Sequence, residues 1–173
     1  TVQTRGSNPI QFETTDSAEL SYVDGFESGS LTDYSGDTGS ASVVSTHPSV
    51  GSYELELSAT SGTHIHQDGS EINEGTELHF DYYPEATTSG ALTFGVQDNS
   101  NYYQAVIDTN NSQLRIEKVE GGSVTSTIAS TSASVPSGEY LDCVLNWSTT
   151  GNISLSVTDS TDTEYTVGGS DSA

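Results

Sequence analysis

Apolar residues in this chain recur at every second position, in short runs cut off by Gly, Ser, Asn or Asp. Nowhere do they hold the three-to-four spacing of a helix over a useful length. A strand sends neighbouring side chains to opposite faces, so each run sorts into a buried row and a solvated one. "SYELELS" sets Tyr53, Leu55 and Leu57 against Glu54 and Glu56. "ELHFDYY" turns Leu78, Phe80 and Tyr82 inward, with His79, Asp81 and Tyr83 outward. "ALTFGVQ" turns Leu92, Phe94 and Val96 inward. "NYYQAVID" sends Tyr103, Ala105 and Ile107 to the core, and Tyr102, Gln104, Val106 and Asp108 to water. "QLRIEKV" buries Leu114 and Ile116 while showing Arg115 and Glu117; "EYLDCVLNW" and "NISLSVT" complete the series. Strands this short, with no helix between them, pair antiparallel and pack as two sheets face to face. The expected fold is all-β, an antiparallel two-sheet β-sandwich. Residues 1–20 lack the pattern and read as a leader, a linker or an edge strand. Residues 21–168 carry the sandwich, and residues 169–173 read as a flexible C-terminal end.

Charge narrows the partners. The 173 residues hold 25 acidic side chains against three basic ones (Arg5, Arg115 and Lys118), for a net charge of -22, yet only 16% of residues are charged. Such a surface stays hydrated in concentrated salt, where screening removes most self-repulsion, and it points to a salt-loving microbe or a virus of one. A hydrophobic content of 31% with so large a charge is also a mark of disorder, but the regular alternation argues against that. Nucleic acid is excluded as a partner, because no basic patch exists to neutralise phosphates. Anionic membranes are disfavoured, and no apolar run approaches the length of a spanning helix, so no membrane insertion is expected. No signal peptide is evident, and a chain that starts at Thr reads as processed or as a piece of something longer. Cys143 alternates with Leu141, Leu145 and Trp147, which makes it a buried structural thiol. Asn110, Asn146 and Asn152 head N-x-[ST] sequons, the pattern of a glycosylated, extracellular protein.

In their order along the chain, "ELHFDYYP", "GALTFGVQDNSNYYQAVID", "SQLRIEKVEGGS", "VPSGEYLDCVLNW" and "GNISLSVTD" resemble concanavalin A-like, laminin-G-like jelly-roll domains. The earlier "GFESGSLTDYSG" and "GSYELELSA" look like the opening of many jelly-roll carbohydrate-binding modules. The resemblance covers residues 22–167. It implies sugar binding, adhesion or a structural role, often with a bound calcium. By that resemblance Glu27 and Asp159, then Asp24, are the implied calcium ligands. The catalytic branch of the family carries an E-x-D-x-(x)-E arrangement on one strand. This chain has only Glu54 and Glu56, so a glycoside hydrolase is disfavoured and a non-catalytic module expected.

If the central strands are neighbours, Tyr83, Tyr102, Arg115, His79, Asp81, Gln104 and Glu117 share one outward face. Saccharide sites join a flat aromatic ring to planar polar groups, so that face is the candidate ligand site. The competing reading is a hydrated face on which Arg115 pairs with Glu117 or Asp108. His64, His66 and His79 are a weaker candidate for a transition-metal cluster. The expected partners are a glycan or surface glycoprotein, or other protein subunits of a virion, spike or appendage. The expected location is extracellular, on a cell surface or a virus particle.

Overall fold

The alternating runs do fold as strands. The computed structural model describes residues 10–14, 17–22, 25–36, 38–57, 65–67 and 72–171. Among the described residues the strands run β1 (Ile10–Thr14), β2 (Ser17–Tyr22), β3 (Tyr34–Gly36), β4 (Ala41–Val44), β5 (Glu54–Leu57), β6 (Ile65–Gln67) and β7 (Thr76–Tyr82), continuing with β8 (Ser89–Asp98), β9 (Asn101–Asp108), β10 (Gln113–Glu120), β11 (Ser123–Ser132), β12 (Leu141–Trp147), β13 (Asn152–Thr158) and β14 (Glu164–Ser170). No helix among the described residues is long and apolar enough to cross a membrane. The chain divides into two compact units, residues 1–11 with 22–70 and residues 12–21 with 71–173.

In the first unit β3 pairs with β6 and β4 with β5, as separate two-stranded ribbons. Here the alternation misleads. Tyr53 is 39% exposed and Leu57 46% exposed, whereas Glu54 is half-buried and its Oε1 accepts the His47 N–H at 2.6 Å. A two-stranded ribbon is too narrow to bury a whole face, so Leu57 of β5 stays open and Leu55 is only half-buried.

The sandwich lies in the second unit. One sheet has the order β14-β13-β12-β7-β1-β2 and the other β11-β10-β9-β8, with every register in the β7–β14 region antiparallel. Leu78, Leu141, Cys143, Leu145, Ile153, Leu155 and Val157 of the first sheet are buried, as are Phe94, Ala105, Ile107, Leu114 and Ile116 of the second. At one end of the core the Trp147 ring lies 5.4 Å from Phe94 and 5.5 Å from Tyr103, which stack on each other at 5.6 Å. Each such pair adds about 0.5–1.5 kcal/mol beyond the area it buries. At the other end Tyr82 crosses onto Gly90, where a Cβ would stand 2.7 Å from its Cζ, and burial beside Cys143 pushes its phenol up to about 12. Burial also pushes the Cys143 thiol well up, so it packs as a small apolar group.

Simple alternation fails at two places in the four-stranded sheet. The β8–β9 ladder runs from Ser89↔Asp108 to Phe94↔Tyr103, then resumes only at Asp98↔Asn101. Gly95 sits in this bulge at φ +57°, and its N–H donates to the Ile72 carbonyl at 3.2 Å. The extra residues flip the pattern, so Val96, expected inside, is 41% exposed. On the other side of the same sheet Val106, Asp108, Glu117 and Val119 are buried, although the alternation predicts Val106, Asp108 and Glu117 outward.

Gly95 is a required glycine twice over: its φ is left-handed, and a Cβ would stand 2.8 Å from Trp147 Cη2. Gly138 is equally left-handed (φ +79°) with nothing within 4 Å. Gly95→Ala is therefore expected to cost about 2–3 kcal/mol, from strain plus overpacking. Gly138→Ala should cost about 1 kcal/mol, from strain alone. Chemical denaturation at fixed salt measures both; equal losses would show that Trp147 yields freely.

Candidate functional site

The bulge that expels Val96 also parts β8 from β9 and leaves a shallow hollow of about 110 Å³. Its walls are Gly95 and Gln97 of β8, Asn101, Tyr102 and Tyr103 of β9, and Lys118, Val119 and Glu120 of β10. Tyr102 is the cross-strand partner of Val119, so ring and valine share one row of the sheet.

The walls are fixed by hydrogen bonds. Asn101 Nδ2 donates to both carboxylate oxygens of Asp98, at 2.9 and 2.8 Å, and its Oδ1 accepts the Gly121 N–H at 3.1 Å. The Asn101 amide and the Ser100 N–H hold the Asp98 carboxyl below the usual range. Lys118 Nζ lies 3.4 Å from Glu120 Oε1 and 3.5 Å from Asp171 Oδ2, and sits 5.8 Å from the centre of the Tyr103 ring. Tyr103 Oη donates to the same Asp171 oxygen at 2.8 Å. Glu120 Oε2 accepts from the Thr125 hydroxyl at 2.9 Å. The Gln97 amide has no partner among the described residues. The strand pattern does not single out Gln97, Asn101, Lys118 or Glu120. The one signal for them is a glycine inside an apolar strand, which marks a bulge.

The expected ligand face does not assemble as one surface. Tyr102, Gln104 and Arg115 stand on the four-stranded sheet, whereas His79 and Asp81 lie on β7 of the six-stranded sheet. The chain crosses between sheets after β7, so the outward faces of β7 and β9 look opposite ways. Tyr83 follows β7 and packs on Tyr140 at 5.1 Å, at the end where β9 finishes, whereas Tyr102 lies where β9 begins. An eight-residue strand, roughly 24 Å long, separates those ends.

Arg115 and Gln104 are taken up internally. Arg115 Nη1 donates to Asp108 Oδ2 at 2.9 Å and to Gln113 Oε1 at 3.2 Å, while its Nε donates to Glu117 Oε1 at 2.9 Å. Gln104 Nε2 donates to the other Glu117 oxygen at 2.6 Å. Asn111 supplies Asp108 with two further bonds at 2.9 Å, one to each oxygen. Burial pushes the Asp108 carboxyl up, but the Asn111 and Arg115 bonds outweigh it and hold the group below its usual range. This network is the hydrated-face alternative in a more buried form.

On β7, His79 Nε2 lies 2.8 Å from Glu77 Oε1, and Asn146 Nδ2 donates to Glu77 Oε2 at 3.1 Å. Asp81 stands directly opposite Asp142 of β12. His66 lies on β6, which pairs with β3 rather than β7, and His64 falls outside the described residues. No group of three or more His, Cys, Asp or Glu side chains placed to hold a metal occurs among the described residues.

The implied calcium ligands have protein partners. Glu27, in the first unit, accepts the Ser52 and Tyr53 N–H groups at 2.9 and 3.2 Å. Asp159, in the second, caps its own turn. Its Oδ1 accepts the Thr161 and Thr163 N–H groups and the Thr161 hydroxyl at 2.8, 3.0 and 2.7 Å, and its Oδ2 accepts Tyr165 Oη at 3.2 Å. Asp24 falls outside the described residues. Of the sequons, Asn110 is exposed in a turn, Asn152 is exposed at the start of β13, and Asn146 is half-buried within β12.

No protein-family model matches the chain, and no curated protein does. Among solved structures, the carbohydrate-binding module CBM66 from Bacillus subtilis is similar over 60% of this chain and 75% of its own, at 16% identity and a TM-score of 0.44. That likeness is too distant to carry a ligand across.

Asp108→Asn tests the internal network. A carboxyl whose folded pKa is depressed stabilises the fold above its unfolded pKa, and this contribution fades as pH falls through the folded value. Asp108→Asn should therefore cost about 2 kcal/mol at neutral pH, with the gap to the parent protein closing below about pH 4. Urea denaturation across pH checks it; a pH-independent gap would mean packing, not charge, holds the site.

Proposed function

We propose that the sandwich is a non-catalytic recognition module that binds a saccharide at the Tyr102 hollow, outside the cell and in concentrated salt. The observation that carries this reading is the composition of the hollow. A small recess lined by two tyrosines holds an amide with no partner among the described residues and an ammonium–carboxylate pair, groups that meet the hydroxyls of a sugar. Hydrolysis fits the same recess poorly. It needs two carboxyl groups about 5–9.5 Å apart across the scissile bond, and Glu120 is the only carboxylate among the lining residues. Glu54, half-buried and bound by the His47 N–H, is no better placed as a nucleophile.

A second reading, a structural subunit making protein–protein contacts, draws on the same end of the sheet. Val124 is 50% exposed and pairs across the strands with Val119, and Val96 is 41% exposed. Gln97→Ala discriminates between the two. On a glycan array in concentrated salt, the parent protein should bind one or more glycans and the variant should lose about fivefold to tenfold in affinity, as loss of a hydrogen-bonding amide would predict. Absence of binding by folded parent protein, together with concentration-dependent self-association in light scattering, would favour the structural subunit instead.

A further inference from the structure

The hollow offers its ligand an ammonium and a carboxylate 3.4 Å apart, with the Gln97 amide as a further donor and acceptor. Resting on the saccharide reading above, we propose that the ligand is an uncharged sugar unit. It would set adjacent hydroxyls between Lys118 and Glu120, with the Gln97 amide reaching a neighbouring hydroxyl. A hydroxyl both donates and accepts, so one group can accept from Lys118 Nζ and donate to Glu120 Oε1. An ionised uronate or sialate only accepts. It would meet Lys118 but stand against Glu120, and Asp171 already shares the same ammonium at 3.5 Å.

The wider field acts in the same direction. A chain of net charge -22 repels polyanions at low salt, and the lysine at the hollow carries two carboxylate neighbours that cancel its attraction at range. Size sets the reach. A recess of about 110 Å³ is well below the few hundred Å³ of a pocket that engulfs a small molecule, so it grips one unit while the rest of a glycan runs outside.

Co-sedimentation of the full chain with insoluble or cross-linked polysaccharides tests the proposal, in low and in concentrated salt. The neutral set is dextran, mannan, laminarin and inulin; the anionic set is alginate, polygalacturonate and hyaluronate. The expected result is depletion by at least one neutral matrix and by no anionic one. Lys118→Gln and Glu120→Gln should each weaken it about tenfold, the worth of a hydrogen bond to a charged group. Gln97→Ala, at an exposed position, is a further variant whose fold is not at risk, and it should weaken binding as well. Depletion by anionic matrices alone would overturn the neutral ligand while leaving the saccharide reading standing. So would neutral binding that is indifferent to Lys118 and Glu120. No depletion of folded protein by any matrix would remove the saccharide reading and this inference with it.

Discussion

The packing of Trp147 against Gly95 is the contact on which both the core and the hollow depend. Trp147 comes from the end of β12 in the six-stranded sheet and reaches across to Phe94 and Tyr103 of the four-stranded one. The ring fits only because β8 presents a glycine there, in a conformation other residues adopt at a cost. Accommodating the ring bulges β8 away from β9, and the recess beside Tyr102 is what the bulge leaves behind. One packing requirement thus closes the sandwich at this end and opens its surface. The bulge also interrupts β8, a terminal strand of its sheet, where an unbroken ladder edge would invite another chain.

Scarcity of cations shapes the electrostatics. The two basic residues in the described part of the sandwich, Arg115 and Lys118, sit three apart on β10 and therefore face opposite sides of the sheet. Arg115 joins two buried carboxylates into one satisfied network, where an unpaired charge would be costly. Lys118 stands at the rim of the core and ties Asp171, just past β14, to Tyr103. Elsewhere acids stand opposite acids across the strands, as at Asp81 and Asp142.

Much of the architecture was legible because strand periodicity is local. Leu78, Phe94, Ala105, Ile107, Leu114, Ile116, Leu155 and Val157 fall where alternation puts them, since each strand has one face on the same core. Alternation failed where its premise failed. At Tyr53 and Leu57 the strand belongs to a two-stranded ribbon, and at Val96 a bulge shifts the count. At Val106 and Asp108, the Arg115 side chain stretched between Asp108 and Glu117 helps cover the face expected to meet water. The candidate ligand face failed for another reason. Grouping Tyr83 with Tyr102 assumed that strands consecutive in sequence are neighbours in space, and the crossover after β7 breaks that assumption.

By itself, the order of residues determined that this chain builds antiparallel strands, which side of most of them is apolar, and that its net charge is strongly negative. Those properties come from side-chain spacing and summed charge, and neither depends on which strand pairs with which. Sheet assignment, the pairing of Arg115 with two acids and the meeting of Gln97, Tyr102, Lys118 and Glu120 were decided only by the tertiary structure. They depend on which strands pair and on a backbone bulge whose glycine packs against a tryptophan on the opposite sheet.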